Sequence, residues 1–251
     1  MFRRPPTASA RACLSAAKPF KSVPMNPTLA LVFGNKNYSS WSMRPWVALR
    51  AAGIAFQERQ LKFDSPDWAE HIATLSPSGL VPVLWEGGTG AGFATWDTLA
   101  IIERIDELFP AHGVWPRGPQ ARARARSICA EMHGGFRALR SAMPMNIRGR
   151  HPGKGMNPEV AKDIARISAL WEDARRQFGQ DGSYLFGEFS AADAYYAPVA
   201  TRFVTYGVAL TGVAKEYHAA LLDAPAVREW SAAAVQETEF VAADEPYAAP
   251  R

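Results

Sequence analysis

A small α/β unit followed by an all-helical one is the fold class that the sequence predicts. Three observations carry it. Short apolar runs and helix signals alternate in the order β-α-β-α-β-β-α as far as Phe109. Ala111 to Gln120, with two prolines and two glycines, then breaks the pattern. Beyond that break only helical periodicity continues. The chain is accordingly expected to divide into residues 1–27 ahead of the fold, an α/β domain over 28–110, a linker over 111–120 and a helical domain over 121–251.

Leu29-Ala30-Leu31-Val32-Phe33 is a continuous apolar run ended by Gly34 and Asn35, the pattern of a strand buried on both faces. A helix follows, with Pro45 read into its first turn, where a missing N–H costs nothing, and Gly53 just past its end. Phe56 to Phe63 alternates as a second strand. Asp64-Ser65-Pro66-Asp67 turns into a helical stretch from Trp68 to Leu75, and Ser76-Pro77-Ser78-Gly79 is a loop. Leu80 to Trp85 reads as a third strand. Gly87-Gly88-Thr89-Gly90 turns a hairpin into Phe93-Ala94-Thr95, and Asp97 opens an apolar helix through Phe109. Further helices are expected over Ala121 to about Ala142, Pro158 to Phe178 and Ala191 to Tyr206, with shorter pieces to Glu239. Pro82 cannot donate to a ladder, so it belongs on an edge or at a special turn. Two readings stand for it: a trans proline on an edge strand, or a cis Val81–Pro82 bond that leaves the Val81 N–H and C=O free for a peptide-like ligand.

Charge narrows the function. Of the formal charge of +4, +5 comes from Arg3, Arg4, Arg11, Lys18 and Lys21 in residues 1–27, which hold no acid, leaving −1 for the rest. A nucleic-acid partner loses its support. No run approaches the ~18 apolar residues needed to cross a bilayer, so no membrane partner is expected. Cys13 and Cys129 form no C-x-x-C and fit a reducing, cytoplasmic setting. Residues 1–24 have the Arg, Ser, Ala and Pro content of a mitochondrial or plastid transit peptide. A gene start placed too early, with Met25 as the natural one, or a disordered extension is the preferred reading.

Four motifs in order carry a resemblance. SSWSMRPWVALRAAG, SPSGLVPVL, TWDTLAIIERIDELFP and LFGEFSAADAYYAPV resemble, respectively, the first helix, the cis-proline strand, the end of the thioredoxin-like domain and the helix-capping motif of the serine-type glutathione S-transferases, the zeta and theta-like classes being nearest. The resemblance covers Thr28 to about Trp230. It implies a thioredoxin-like domain joined to a helical one, a homodimer, and glutathione as co-substrate without a metal. The implied activity is detoxifying transfer of glutathione to a small electrophile. The same site also suits glutathione-dependent isomerisation, dehalogenation or peroxide reduction, and the fold suits a noncatalytic protein-binding module.

The resemblance assigns the serines a role. A hydroxyl at the mouth of the first helix donates to the sulfur of glutathione, and the helix N-terminus adds positive potential, so thiolate is favoured over thiol. Ser40 is the first candidate and Ser39 the second; Ser42 reads as the helix N-cap. Trp41, Val81 and Pro82 would line the glutathione site. Asp97 would pair with the ligand's α-ammonium, and the Thr98 hydroxyl and N–H with its α-carboxylate. Two departures stand out. Leu80 replaces the Lys or Arg that many relatives carry, with Lys36, His71 or Arg44 as possible substitutes, and Trp41 stands where the zeta class has cysteine, against carrying over its maleylacetoacetate isomerase activity. Met143-Pro144-Met145-Asn146-Ile147-Arg148 either ends a helix or overhangs the cleft, with Met143 and Met145 forming an adaptable second-substrate pocket and Arg148 meeting an anionic group. Arg122, Arg124 and Arg126 read as a solvated helix surface, GGTGAG as a hairpin turn, and Ser190 with Asp193 as a capping box. No histidine spacing suggests a metal.

Overall fold

The computed structural model describes residues 28–248. The readings of residues 1–27 and of Cys13 lie outside them. β1 (Leu29–Phe33) is central in a four-stranded sheet of order β2-β1-β3-β4, with β2 (Gln57–Gln60) parallel to it and β3 (Val83–Glu86) and β4 (Phe93–Trp96) antiparallel in turn. Every β1 side chain is buried because helices cover both faces. Leu29, Leu31 and Phe33 join the core with α1 (Ser40–Ala51) and α3 (Thr98–Leu108), while Ala30 and Val32 pack with Leu75 of α2 (Pro66–Leu75).

Four local readings need correction. β2 is half the predicted length, and the third strand begins at Val83, after a cis Val81–Pro82 bond. α1 begins at Ser40, which places Pro45 in its second turn, not its first. The proline leaves the carbonyl of Trp41, four residues back, without its helical donor, and the Thr98 hydroxyl donates to that carbonyl at 3.2 Å. The predicted helix from 121 to 142 is two helices, α4 (Pro119–Gly134) and α5 (Arg137–Ala142), parted at Gly135 and at Phe136, which has φ 54°.

The other helices are α6 (Pro158–Phe178), α7 (Ala191–Tyr206), α8 (Gly212–Asp223) and α9 (Pro225–Gln236). α7 is buried along nearly its whole length, packed between α1, α4 and α8. Its start carries the expected capping box, with the buried Asp193 carboxylate accepting from Ser190 N, Ser190 Oγ, Leu185 N and Tyr217 OH. One continuous core runs from β1 through α1 and α7 to Trp171 and Trp230. Arg122, Arg124 and Arg126 form ion pairs with Asp106, Asp173 and Glu103, so α4 is tied to α3 through Arg122 and Arg126 and to α6 through Arg124.

After α9 the chain returns to the sheet. The Glu237 carboxylate accepts from Lys36 N at 2.7 Å and Asn37 N at 2.9 Å, and Trp230 Nε1 donates to the Lys36 carbonyl at 2.8 Å. Among the described residues no helix is long and apolar enough to cross a membrane.

Candidate active site

The four residues Ser39 to Ser42 include three hydroxyls with three different tasks. Ser39 is the N-cap of α1: its oxygen accepts from Ser42 N, and its proton is donated to Ser42 Oγ at 2.7 Å. Ser42, expected as the cap, instead accepts from Gly34 N at 3.1 Å and so fastens the helix to the end of β1. Ser40 Oγ accepts from Arg202 Nη2 at 3.2 Å, and among the described residues nothing takes its proton. Ser39 is thus spent on capping and on Ser42, and Ser42 is fully buried at the strand end, so Ser40 is the hydroxyl left with a hydrogen to donate at a hollow.

Two hollows meet at this helix end. The smaller, about 260 Å³, is lined by Trp41, Leu80, Val81, Pro82, Asp97, Thr98 and His133. The larger, about 550 Å³, shares Trp41, Leu80 and Val81 and adds Ser39, Ser40, Arg137, Arg140, Pro144, Met145, Arg202 and Asp244. A separate hollow of about 520 Å³ lies by Phe56 and Phe109, without any of the serines. Among the described residues no hydrogen bond engages the N–H or C=O of Val81.

Asp97 stands at φ 72° and ψ 133°, outside the left-handed helical well, a strained backbone for a residue with a Cβ. Its Oδ1 caps α3 through Leu99 N at 2.8 Å, and its Oδ2 lies 3.3 Å from Nε2 of His133. Nδ1 of His133 is 3.2 Å from the Tyr195 hydroxyl, and its ring stands edge-on to Trp41. The Thr98 hydroxyl is committed to Trp41, which leaves the Thr98 N–H at the head of α3 for an anion.

The larger hollow is cationic. Arg44 is buried beneath it, donating to the Tyr195 and Ser40 carbonyls, and burial lowers its pKa to about 10. Arg140 packs over Trp41 and donates to the His133 and Gly135 carbonyls. Burial lowers the pKa of Arg202 to about 9. Burial likewise pushes the Asp244 carboxyl up to about 6, against the pull of Arg202.

The predicted second-substrate residues do not stay together. Met145 lines the larger hollow, but Met143 is wholly buried in the core, where its carbonyl accepts from Arg202. Arg148 lines neither hollow: it donates to the Tyr38 hydroxyl and to the carbonyls of Glu237 and Glu239, holding the C-terminal segment. Nor does a substitute for the basic residue at Leu80 appear. Lys36 pairs with Glu58, His71 lies by Asp67, and Arg44 is buried, so none of the three lines either hollow. Sequence reasoning missed His133, Arg137, Arg140, Arg202 and Asp244. Only Arg202 carried a signal, as the one basic residue in the apolar run of α7.

Family models named for the N-terminal and C-terminal domains of glutathione S-transferase match residues 38–108 and 119–233. The maleylacetoacetate isomerase of Rattus norvegicus is 29% identical over 164 residues, 64% of this chain and 72% of that one. A probable maleylacetoacetate isomerase of Vibrio cholerae is 33% identical over 102 residues, 38% of this chain and 46% of that one. Among solved structures, a glutathione transferase homolog from Burkholderia with bound glutathione superposes with a TM-score of 0.61 at 22% identity, covering 82% of this chain and 98% of that one. Maleyl pyruvate isomerase, a bacterial zeta-class glutathione S-transferase, gives 0.56 at 24% identity, again with 82% and 98% covered.

Proposed function

Because the chain belongs to the glutathione S-transferase family and is a glutathione-using enzyme, we propose that glutathione lies along Trp41, Val81, Pro82, Asp97 and Thr98, with its thiol ionised beside Ser40 for attack on a small acidic electrophile. The observation that supports this reading is that the two hollows share Trp41, Leu80 and Val81: one reaches a carboxylate and a helix N-terminus, and the other, which Ser40 lines beside Trp41, opens onto guanidinium groups. The helix end and the Ser40 hydroxyl favour a negative sulfur. Arg137, Arg140 and Arg202 supply the charge that an acidic second substrate needs. Positioning the two reactants together does the rest.

Isomerisation is the second reading, favoured by the two curated relatives and by the same arginines. Their named substrate, maleylacetoacetate, is a carboxylate-bearing cis alkene. Thiolate addition to such an alkene makes a single bond about which the adduct can rotate, and expelling the sulfur restores glutathione and the trans alkene. Conjugation and isomerisation share the addition step. Glutathione consumption across electrophiles with and without a carboxylate, run beside a spectroscopic cis–trans assay, tests both. Activity confined to uncharged electrophiles would overturn the acidic-substrate reading.

Asp97→Asn keeps the α3 cap and the φ 72° backbone but removes the charge offered to the α-ammonium. Calorimetry is expected to show glutathione affinity down by about 1.5 to 3 kcal/mol with little change in Tm; Asp97→Ala should lose cap stability as well. Asp244 gives a pH-dependent prediction. Its carboxyl ionises near pH 6, so above that pH it opposes an anionic substrate. Asp244→Asn should therefore lower KM for an acidic electrophile severalfold at pH 7.5 and leave it unchanged at pH 5. We further propose a cytoplasmic homodimer, supported by exposed Phe93 and Trp96 on β4. Sedimentation at micromolar concentration checks it.

A further inference from the structure

α7 carries one arginine, and it is only 4% exposed. A guanidinium has five N–H donors and no acceptor. Nε of Arg202 donates to the Met143 carbonyl at 2.8 Å, Nη1 to the Pro198 carbonyl at 3.2 Å and Nη2 to Ser40 Oγ at 3.2 Å. Two backbone carbonyls thus fix the plane of the group, and the third bond points at Ser40, which lines the larger hollow and whose hydrogen no described residue accepts. Among the described residues no carboxylate forms an ion pair with Arg202. The charged and titratable groups that act on it are Arg44 from α1, Arg140 from α5, Tyr206 from α7 and Asp244 from the C-terminal segment.

A hydroxyl has one proton and two lone pairs. When a cationic donor occupies a lone pair, the O–H vector turns away from that donor and the hydroxyl becomes a better donor itself. We propose that Arg202 is a positioning residue: by donating to Ser40 Oγ it holds the serine proton toward the sulfur of bound glutathione, and it promotes thiol ionisation through Ser40. The thiol proton leaves to bulk water, and no covalent bond to the protein forms. The burial of Arg202 fits this task, since a poorly hydrated guanidinium polarises the hydroxyl more strongly than a solvated one. The inference rests on the reading of Ser40 given above.

The test is a pH titration of the thiolate absorbance of bound glutathione in the full chain, with glutathione affinity measured alongside. Gln is two heavy atoms shorter than Arg: its amide can meet the Pro198 carbonyl on its own helix but cannot reach Ser40. Arg202→Gln is expected to raise the thiol pKa by about one unit, with affinity changed less than twofold. In a Ser40→Ala background the same substitution should add little. Arg202→Lys keeps a cationic donor in reach and should restore most of the shift. If Ser40→Ala raises the pKa and Arg202→Gln does not, this inference fails and the proposed function stands. If neither moves it, the role of Ser40 fails, and this inference with it. An Arg202→Gln shift of equal size with and without Ser40 overturns action through the serine. Should Arg202→Gln not fold, Arg202→Lys decides: a shift as large as that of Ser40→Ala overturns the proposal.

Discussion

Ser40→Ala is expected to slow glutathione transfer at neutral pH by roughly ten- to a hundredfold while leaving glutathione affinity nearly unchanged. The figure follows from losing one hydrogen bond to a charged sulfur, about 1.5 to 3 kcal/mol at a thiol that ionises near ~8.5 in free solution. Affinity survives because Asp97, Thr98 and Val81 face the other hollow. Part of the rate should return above pH 8, where the thiol ionises unaided. The substitution also deprives Arg202 Nη2 of its acceptor, so Tm should be followed beside the rate. Ser39→Ala is the contrast: its hydroxyl caps α1 and donates to Ser42, so it should cost about 1 kcal/mol of stability and little chemistry. The reverse pattern, a normal rate in Ser40→Ala and a slow one in Ser39→Ala, would transfer the role to Ser39.

Asp193→Ala should be the most destabilising single change, at about 3 to 5 kcal/mol. Its carboxylate gathers four donors from the 185–190 loop, the start of α7 and Tyr217 of α8, and the alanine would leave all four buried without an acceptor. Denaturant unfolding measures the loss. A pH trend comes with it. Burial pushes the carboxyl up to about 6, above its unfolded value, so the folded state binds the proton more tightly. Its contribution to stability is full below about pH 4 and falls as the pH rises through 6. The alanine variant should lack that component of the pH dependence.

What the sequence made legible was local. β1, α6 and α7 begin and end where they were expected, because each is bounded by a residue with a chemical reason to stop it: Gly34 after the strand, Asn157 and Pro158 opening α6, Ser190 with Asp193 and then Gly207 around α7. Pro45 misled because its position was judged against an N-cap at Ser42, three residues too late, and the Thr98 hydroxyl that compensates for it lies in another element. The break at Gly135 and Phe136 needed a left-handed backbone at a phenylalanine, which composition does not announce. The larger hollow was the least legible part. Its walls come from α1, α5, α7 and the segment after α9, so a residue such as Arg148 could look suitable in sequence and yet be spent on holding the C-terminal segment.

The return of the chain's last described segment to its first strand also sets a timetable. Glu237 accepts from the backbone at Lys36 and Asn37 across 200 positions, and Asp244 completes the cleft wall beside Arg202. During synthesis, at about 5 to 20 residues per second, the sheet and α1 are free to form well before these contacts exist. A ribosome-bound chain stopped before residue 237 would hold every serine and every glutathione contact proposed above, yet display an unfinished cleft. Competence to turn over substrate should therefore arrive abruptly, once residues 237–244 have left the ribosome, and not in proportion to the length made.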